Sequence, residues 1–220
     1  MTHTFDQDFW DQHWRGDGTG APAAMAASPP NPHLVTETAD LAPGTALDAG
    51  CGAGAEALWL AGQGWQVTGA DIAADALALA ADRAAANGVG DRVRWVQADL
   101  STWEPGTTYD LVATHYAHAT IPQLELYDRL ASWVAPGGTL LIVGHLHDGH
   151  GHGGHGHEGG HGHDAAEPPA SASVTAADIT ARLDPSSWEV VTATHSHRTM
   201  PGHGGAPAAL HDVVVRATRL

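Results

Sequence analysis

The sequence predicts an α/β fold built on a doubly wound, mostly parallel sheet. Three observations predict it. Short apolar runs alternate with helical stretches from Leu34 to Val143, glycines cluster where the first such run gives way to a helix, and two β-rich runs close the chain. Alternation of this kind buries both faces of a parallel sheet under helices, with right-handed crossovers between neighbouring strands. Residues 1–33 carry Phe5, Phe9, Trp10 and Trp14 and then a Gly/Ala/Pro run to Pro32, which reads as an aromatic helical cap followed by a flexible connector. Thr45 to Asp48 is a strand, Ala55 to Gly62 a helix, Trp65 to Asp71 a strand and Ala73 to Asn87 a helix. Strands follow at Val93 to Ala98 and Tyr109 to Thr114, then a helix from Leu124 to Val134. A turn at 135–138 precedes the strand Thr139 to Val143. Residues 145–172 hold almost nothing that can be buried, and they are expected to stay unfolded unless something binds them. A short helix from Ala176 to Leu183 and an antiparallel pair, Trp188 to Thr194 and His211 to Thr218, complete the domain at the sheet edge. On this reading the chain is an N-terminal cap at 1–33 and one α/β domain at 34–220.

Composition removes several functions. The chain has 220 residues, with 25 Asp and Glu against 9 Lys and Arg, for a net charge of -16. Such a surface repels a phosphate backbone, so neither nucleic acid nor an anionic membrane is an expected partner. All nine basic residues are arginines, which excludes lysine nucleophiles and Schiff bases. The single cysteine, Cys51, has no partner for an internal disulfide, and the N-terminus lacks the basic start and apolar run of a secretory signal. A cytoplasmic protein is expected, and oligomeric state is left open.

The chemistry begins at Leu47-Asp48-Ala49-Gly50-Cys51-Gly52-Ala53-Gly54, a glycine loop between a strand and a helix, where a ligand can approach backbone N–H groups. Gly50, Gly52 and Ala55 also satisfy the dinucleotide fingerprint, and Asp71, 21 positions after Gly50, would hold a ribose in either case. The glycines alone therefore do not choose between a nicotinamide dinucleotide and S-adenosylmethionine. Asp48 favours the second, because a carboxylate at the mouth of the loop repels a pyrophosphate and attracts an ammonium. Asp99, at the end of the third strand, is placed to accept from an adenine amino group.

Taken together, LDAGCGAG, VTGADI, VQADL, YDLVATHY and APGGTLLIVGH resemble the class I S-adenosylmethionine-dependent methyltransferases over about residues 34–145. Within them, the Trp10-to-Trp14 spacing and the stretch from Glu56 to Gly69 look nearest to the thiopurine and tellurite-resistance branch. The resemblance implies a Rossmann-like, seven-stranded sheet whose last hairpin is reversed. It implies that Gly50, Cys51, Gly52 and Gly54 line the cofactor and that Asp48 approaches its amino group. Asp71 would take the ribose, Ile72 the adenine face, and Asp99 with the Leu100 amide the adenine edge. Trp10 and Trp14 would close over the sulfonium. Two features depart from the branch: ATHYAH carries no arginine, and the histidine-rich insert has no counterpart.

Methyl transfer is an in-line displacement, so the protein mainly aligns and desolvates the acceptor; a base serves only a protonated nucleophile. Ligands of open α/β sheets sit at the carboxyl ends of strands, which makes His115 and Tyr116 the catalytic candidates, with His115 also against the cofactor. The D/N-P-P-Y/F pattern of nucleic-acid amino-methyltransferases is absent there, which favours a small-molecule acceptor. Cys51 is needed small beside glycines and has no cation to activate it as a nucleophile.

Eight histidines, His145, His147, His150, His152, His155, His157, His161 and His163, alternate with glycine and acids. Imidazoles at this density bind Ni, Zn, Cu or Co. The sequence thus predicts a methyltransferase acting on a small molecule. The alternatives are a detoxifying methyltransferase of thiols, chalcogens or metalloids, and a metal-storage or metal-chaperone protein on an inactive version of the fold.

Overall fold

The computed structural model describes residues 5–15, 28–146, 174–201 and 207–220. Its elements in chain order are α1 (Gln7–Arg15), α2 (Pro32–Glu37), β1 (Thr45–Ala49), α3 (Ala55–Gly62), β2 (Gln66–Asp71), α4 (Ala74–Ala86), β3 (Val93–Gln97), β4 (Tyr109–His115), α5 (Gln123–Ser132), β5 (Val134–His145), α6 (Ala176–Thr180), β6 (Trp188–Pro201) and β7 (Pro207–Arg219). The strands form one seven-stranded sheet in the order β3-β2-β1-β4-β5-β7-β6. The first five strands run parallel, and β7 is antiparallel to both β5 and β6. This is the Rossmann-like methyltransferase fold with a reversed last hairpin.

Apolar side chains leave the sheet on both faces, as buried parallel strands require. One face gathers Leu47, Val112, Leu140 and Ile142 with Leu126 and Leu130 of α5 and Ile179 of α6. The other gathers Ala46, Leu111, Leu141 and Val143 with Leu34 of α2 and Ala57, Leu60 and Ala61 of α3. Each fully buried Leu or Ile contributes about 1.5–3 kcal/mol, so both helical layers are fastened by their own side chains. Strand order reverses between β1 and β4. The carboxyl ends of those two strands therefore open the crevice where such folds bind ligands.

Three expectations need correction. Residues 135–138 are not a turn ahead of β5 but a bulge inside it: Tyr109 pairs with Val134 and Leu111 with Thr139, and the ladder resumes on both sides. Gly137 carries the bulge at φ 78. The expected connector ending at Pro32 contains the start of α2, whose N-cap Asn31 accepts the His33 N–H at 2.9 Å, with Pro32 in the first turn. The Asn-Pro pair was a legible helix start. The last two strands are also longer than expected. Beyond the His145–Asp212 pair, β6 and β7 continue with each other alone as far as the Pro201–Pro207 pair. No described helix is long and apolar enough to cross a membrane.

Candidate functional site

The strand β1 delivers Asp48 and then turns through Gly50, Gly52 and Gly54, all at positive φ (76, 48 and 77). Only glycine takes this path without strain. Space forbids a side chain as well. A Cβ on Gly52 would stand 2.8 Å from Trp14 Cζ2, and one on Gly50 would stand 2.4 Å from the Ala117 Cβ. The Trp14 indole of α1 therefore rests on the glycine loop.

Asp71 ends β2 and is 9% exposed. Its Oδ2 accepts the Gly52 N–H at 2.8 Å and its Oδ1 the Ala73 N–H at 2.9 Å, which locks the loop onto the neighbouring strand. Burial raises its pKa and these amides oppose the rise. Asp48 is 1% exposed, and its Oδ2 has no hydrogen-bond partner among the described residues. Burial first, and the charge of Glu56 second, push its carboxyl well above the usual carboxylate range. An unpartnered carboxyl oxygen under a glycine loop is what a ligand's ammonium would satisfy. Cys51 is buried, and burial with Asp48 and Asp71 nearby raises its thiol, so it stays protonated and fills space.

Ile72, Gln97, Ala98 and Asp99 line a cleft of about 280 Å³ together with Asp6, Gln7 and Thr120. Asp99 Oδ1 accepts from the Ser101 N–H at 2.8 Å and its hydroxyl at 2.6 Å. Leu100 is buried, and its carbonyl accepts from Arg129 Nε at 3.0 Å. Strand ends and α1 thus bring Trp14, Asp48, Gly50, Gly52, Asp71, Ile72 and Asp99 to one side of the sheet. Trp10 belongs to an aromatic group with Phe5 and Phe9.

At the end of β4 both ring nitrogens of His115 are shielded and lack a partner among the described residues. Burial lowers its pKa, His33 acts in the same direction, and Glu56 opposes both. The imidazole is neutral at pH 7. Tyr116 follows at φ 57, and it is the only non-glycine residue at positive φ among the described residues. Its hydroxyl donates to Asp212 Oδ1 at 2.8 Å and accepts from Asn31 Nδ2 at 3.2 Å and from Arg198. Burial pushes this phenol up to about 12.

Rings stack across the strand ends: Phe5 on His118 at 4.9 Å and Tyr116 on His145 at 4.3 Å, with His118 and His145 6.4 Å apart. His145, expected among the metal ligands, therefore sits in this stack, and the described residues contain no group of three or more His, Cys, Asp or Glu suited to a metal. His147, His150, His152, His155, His157, His161 and His163 lie outside the described residues. Sequence reasoning missed Asn31, Glu56, Arg198 and Asp212. Glu56, in the first turn after the glycine loop, accepts the Asn31 N–H at 3.0 Å and was within reach of a local reading. The other three had no local signal pointing to β4.

Residues 46–138 match the family described as methyltransferase domain. Ribosomal RNA small subunit methyltransferase C of Alcanivorax borkumensis is 34% identical over 107 residues, 46% of this chain and 32% of that protein. Trans-aconitate 2-methyltransferase of Streptomyces avermitilis is 36% identical over 104 residues, 44% of this chain and 38% of that protein. Thiocyanate methyltransferase 1 of Brassica oleracea is 29% identical over 121 residues, covering 55% and 53%. The chain thus spans about a third to a half of these relatives' lengths. Among solved structures, one from work on conversion of a disulfide bond into a thioacetal group during echinomycin biosynthesis has a TM-score of 0.67 at 23% identity, covering 97% of this chain and 91% of that one. TehB from Haemophilus influenzae has the same TM-score of 0.67 at 15% identity, covering 93% and 66%. These two likenesses concern the fold alone.

Proposed function

We infer that this chain, a class I methyltransferase by its fold and its methyltransferase domain, binds S-adenosylmethionine and methylates a small-molecule acceptor. The observation that carries the reading is the buried Asp48 carboxyl with an unpartnered oxygen beneath the glycine loop. The bound cofactor supplies an electrophilic methyl carbon on a sulfonium. Asp48 would hold the cofactor's ammonium, Asp71 its ribose, and the Ile72–Asp99 cleft its adenine. Trp14 would keep water from the sulfonium side of the loop. His115, neutral at pH 7, would take the proton of an oxygen, nitrogen or thiol nucleophile as that nucleophile displaces the neutral thioether from the methyl carbon.

A small acceptor is favoured because α1 and the residues just before it roof the site. Trp14 covers Gly52 and Phe5 stacks on His118, and the chain's net charge of -16 discourages a polyanion. Similarity to a thiocyanate methyltransferase supports a sulfur nucleophile as the finer reading. The lone, buried Cys51 suits a reducing cytoplasm. The histidine tract at 147–163 would take up Ni, Zn, Cu or Co by virtue of its composition.

Calorimetric titration of metal-stripped protein with S-adenosylhomocysteine tests the cofactor. A micromolar Kd is expected, and an absence of heat at both neutral and mildly alkaline pH would overturn the reading. Production of S-adenosylhomocysteine is then followed with thiols, thiocyanate, tellurite, selenite, trans-aconitate and a ribosomal RNA fragment. Turnover of the RNA alone would overturn the small-molecule assignment. Repeating the calorimetry with nickel or zinc, on the whole chain and on a chain lacking 147–163, tests the metal.

A further inference from the structure

Arg198 on β6 and Asp212 on β7 stand at the carboxyl end of β4, although both belong to the reversed hairpin at the far side of the sheet. Asp212 is fully buried. One of its oxygens accepts the Tyr116 hydroxyl at 2.8 Å, and the other pairs with Arg198 Nε and lies 3.3 Å from His33 Nε2. Arg198 also donates to the Tyr116 hydroxyl, and its guanidinium lies 5.8 Å from the Tyr116 ring centroid. The ring meets His145 at 4.3 Å. Tyr116 is thus held at its hydroxyl and at its ring, and it is also the residue whose backbone sits in the left-handed region at φ 57. A bulky side chain keeps that conformation only where its surroundings over-determine it. The residue immediately before this turn is His115.

We propose that Arg198 and Asp212 are positioning residues for His115: through the Tyr116 hydroxyl they hold the left-handed turn that ends β4, and that turn keeps the His115 imidazole shielded beside the glycine loop. The inference deepens the function proposed above, since it explains how the base assigned there is kept in place. The extension of β6 and β7 beyond the end of β5 gains a purpose from it, because only this extension carries Arg198 to Tyr116. The charged and titratable groups that act on His115 itself are Glu56 of α3 and His33 of α2. Changes in Arg198 or Asp212 would therefore reach it chiefly through Tyr116 and through His33.

The test follows the His115 ring by NMR in the full chain, with His115→Gln identifying its signal. The variants are Asp212→Asn, Arg198→Met, Arg198→Lys and Tyr116→Phe, each also titrated with S-adenosylhomocysteine. In the parent protein the His115 signal should remain that of a neutral ring to below the ordinary histidine range. In Asp212→Asn and Tyr116→Phe its midpoint should rise toward that range by half a pH unit or more. Arg198→Lys should restore part of what Arg198→Met loses, and in these two Arg198 variants the Kd for S-adenosylhomocysteine should stay within about threefold. An unchanged His115 midpoint in folded Tyr116→Phe would overturn the proposal, whatever Asp212→Asn shows, because Asp212 also reaches His115 through His33. Should Asp212→Asn fail to fold, Tyr116→Phe decides, because it removes only the hydroxyl and keeps the stacked ring. A parent protein that does not bind S-adenosylhomocysteine would sink the cofactor reading and leave the coupling between Tyr116 and His115 measurable.

Discussion

The indole of Trp14 lies against Gly52, so close that a Cβ on Gly52 would stand 2.8 Å from Trp14 Cζ2. This contact ties α1 to the loop between β1 and α3, and it forms part of the roof over the crevice. Gly52→Ala must both displace the indole and take φ 48 with a side chain. The expected cost is about 1–2 kcal/mol in stability, with at least a tenfold loss of affinity for S-adenosylhomocysteine. Gly62→Ala, with nothing within 4 Å, is the control: at the last residue of α3 it should be neutral or stabilise by up to about 1 kcal/mol. Thermal unfolding and calorimetry on both variants would check this.

Asp48→Asn separates stability from binding. Burial and Glu56 make a charge at Asp48 costly, so the amide should raise the melting temperature of the cofactor-free protein at pH 7. It should also weaken S-adenosylhomocysteine about tenfold to a hundredfold, as loss of a charge-assisted hydrogen bond of about 1.5–3 kcal/mol implies. A variant that is stabilised and binds undiminished would refute the assignment of Asp48 to the ammonium.

The same carboxyl sets a pH dependence. In the folded chain Asp48 keeps its proton above the ordinary value of 3.8, while the unfolded chain has lost it. The folded state therefore binds more protons, and this group's contribution to stability falls as pH rises from about 4 through its folded pKa. Asp71, raised by burial, acts in the same direction. His115 acts oppositely: its folded pKa lies below 6.5, so its contribution rises as pH climbs toward 6.5 from below. Urea unfolding across pH 4 to 8 should show the acidic slope reduced in Asp48→Asn and the slope near 6 reduced in His115→Gln.

Cofactor binding should be linked to protons. An ammonium arriving at Asp48 favours the carboxylate, so the group that held its proton in the free protein gives it up. Calorimetry with S-adenosylhomocysteine in buffers of different ionisation enthalpy should report proton release at mildly acidic pH, and none in Asp48→Asn.

The short helix α2 belongs to the body of the domain. Leu34 is fully buried against Ala57, Leu60 and Val143. Leu34→Ala should cost about 2–5 kcal/mol, a fall of roughly 5–15 °C in melting temperature for a chain of this size. Removing Leu34 should also loosen Asn31, which caps α2 and donates to Tyr116.

Much of this molecule is decided locally. The alternation of apolar strands with amphipathic helices follows from which residues must leave water, so the order of β1 to β5 and the class of fold could be read along the chain. The glycine loop was legible because strand-to-helix turns at positive φ admit little else, and Asp48, Asp71 and Asp99 were legible because each stands at or beside a strand end. What the tertiary structure decided are the partners of side chains. Tyr116 is recognisable as a residue after β4, yet its hydroxyl is held from Asn31, Arg198 and Asp212, 85, 82 and 96 positions away. Those meetings depend on the register of β7 against β5, which places Asp212 opposite His145. The bulge at 135–138 likewise depends on pairing with β4, and the seat of Trp14 on Gly52 depends on where α1 returns. Hydrophobic periodicity specifies which face of an element is buried; it carries no information about which distant polar group will lie opposite, because that is fixed only when strand registers and loop paths close together.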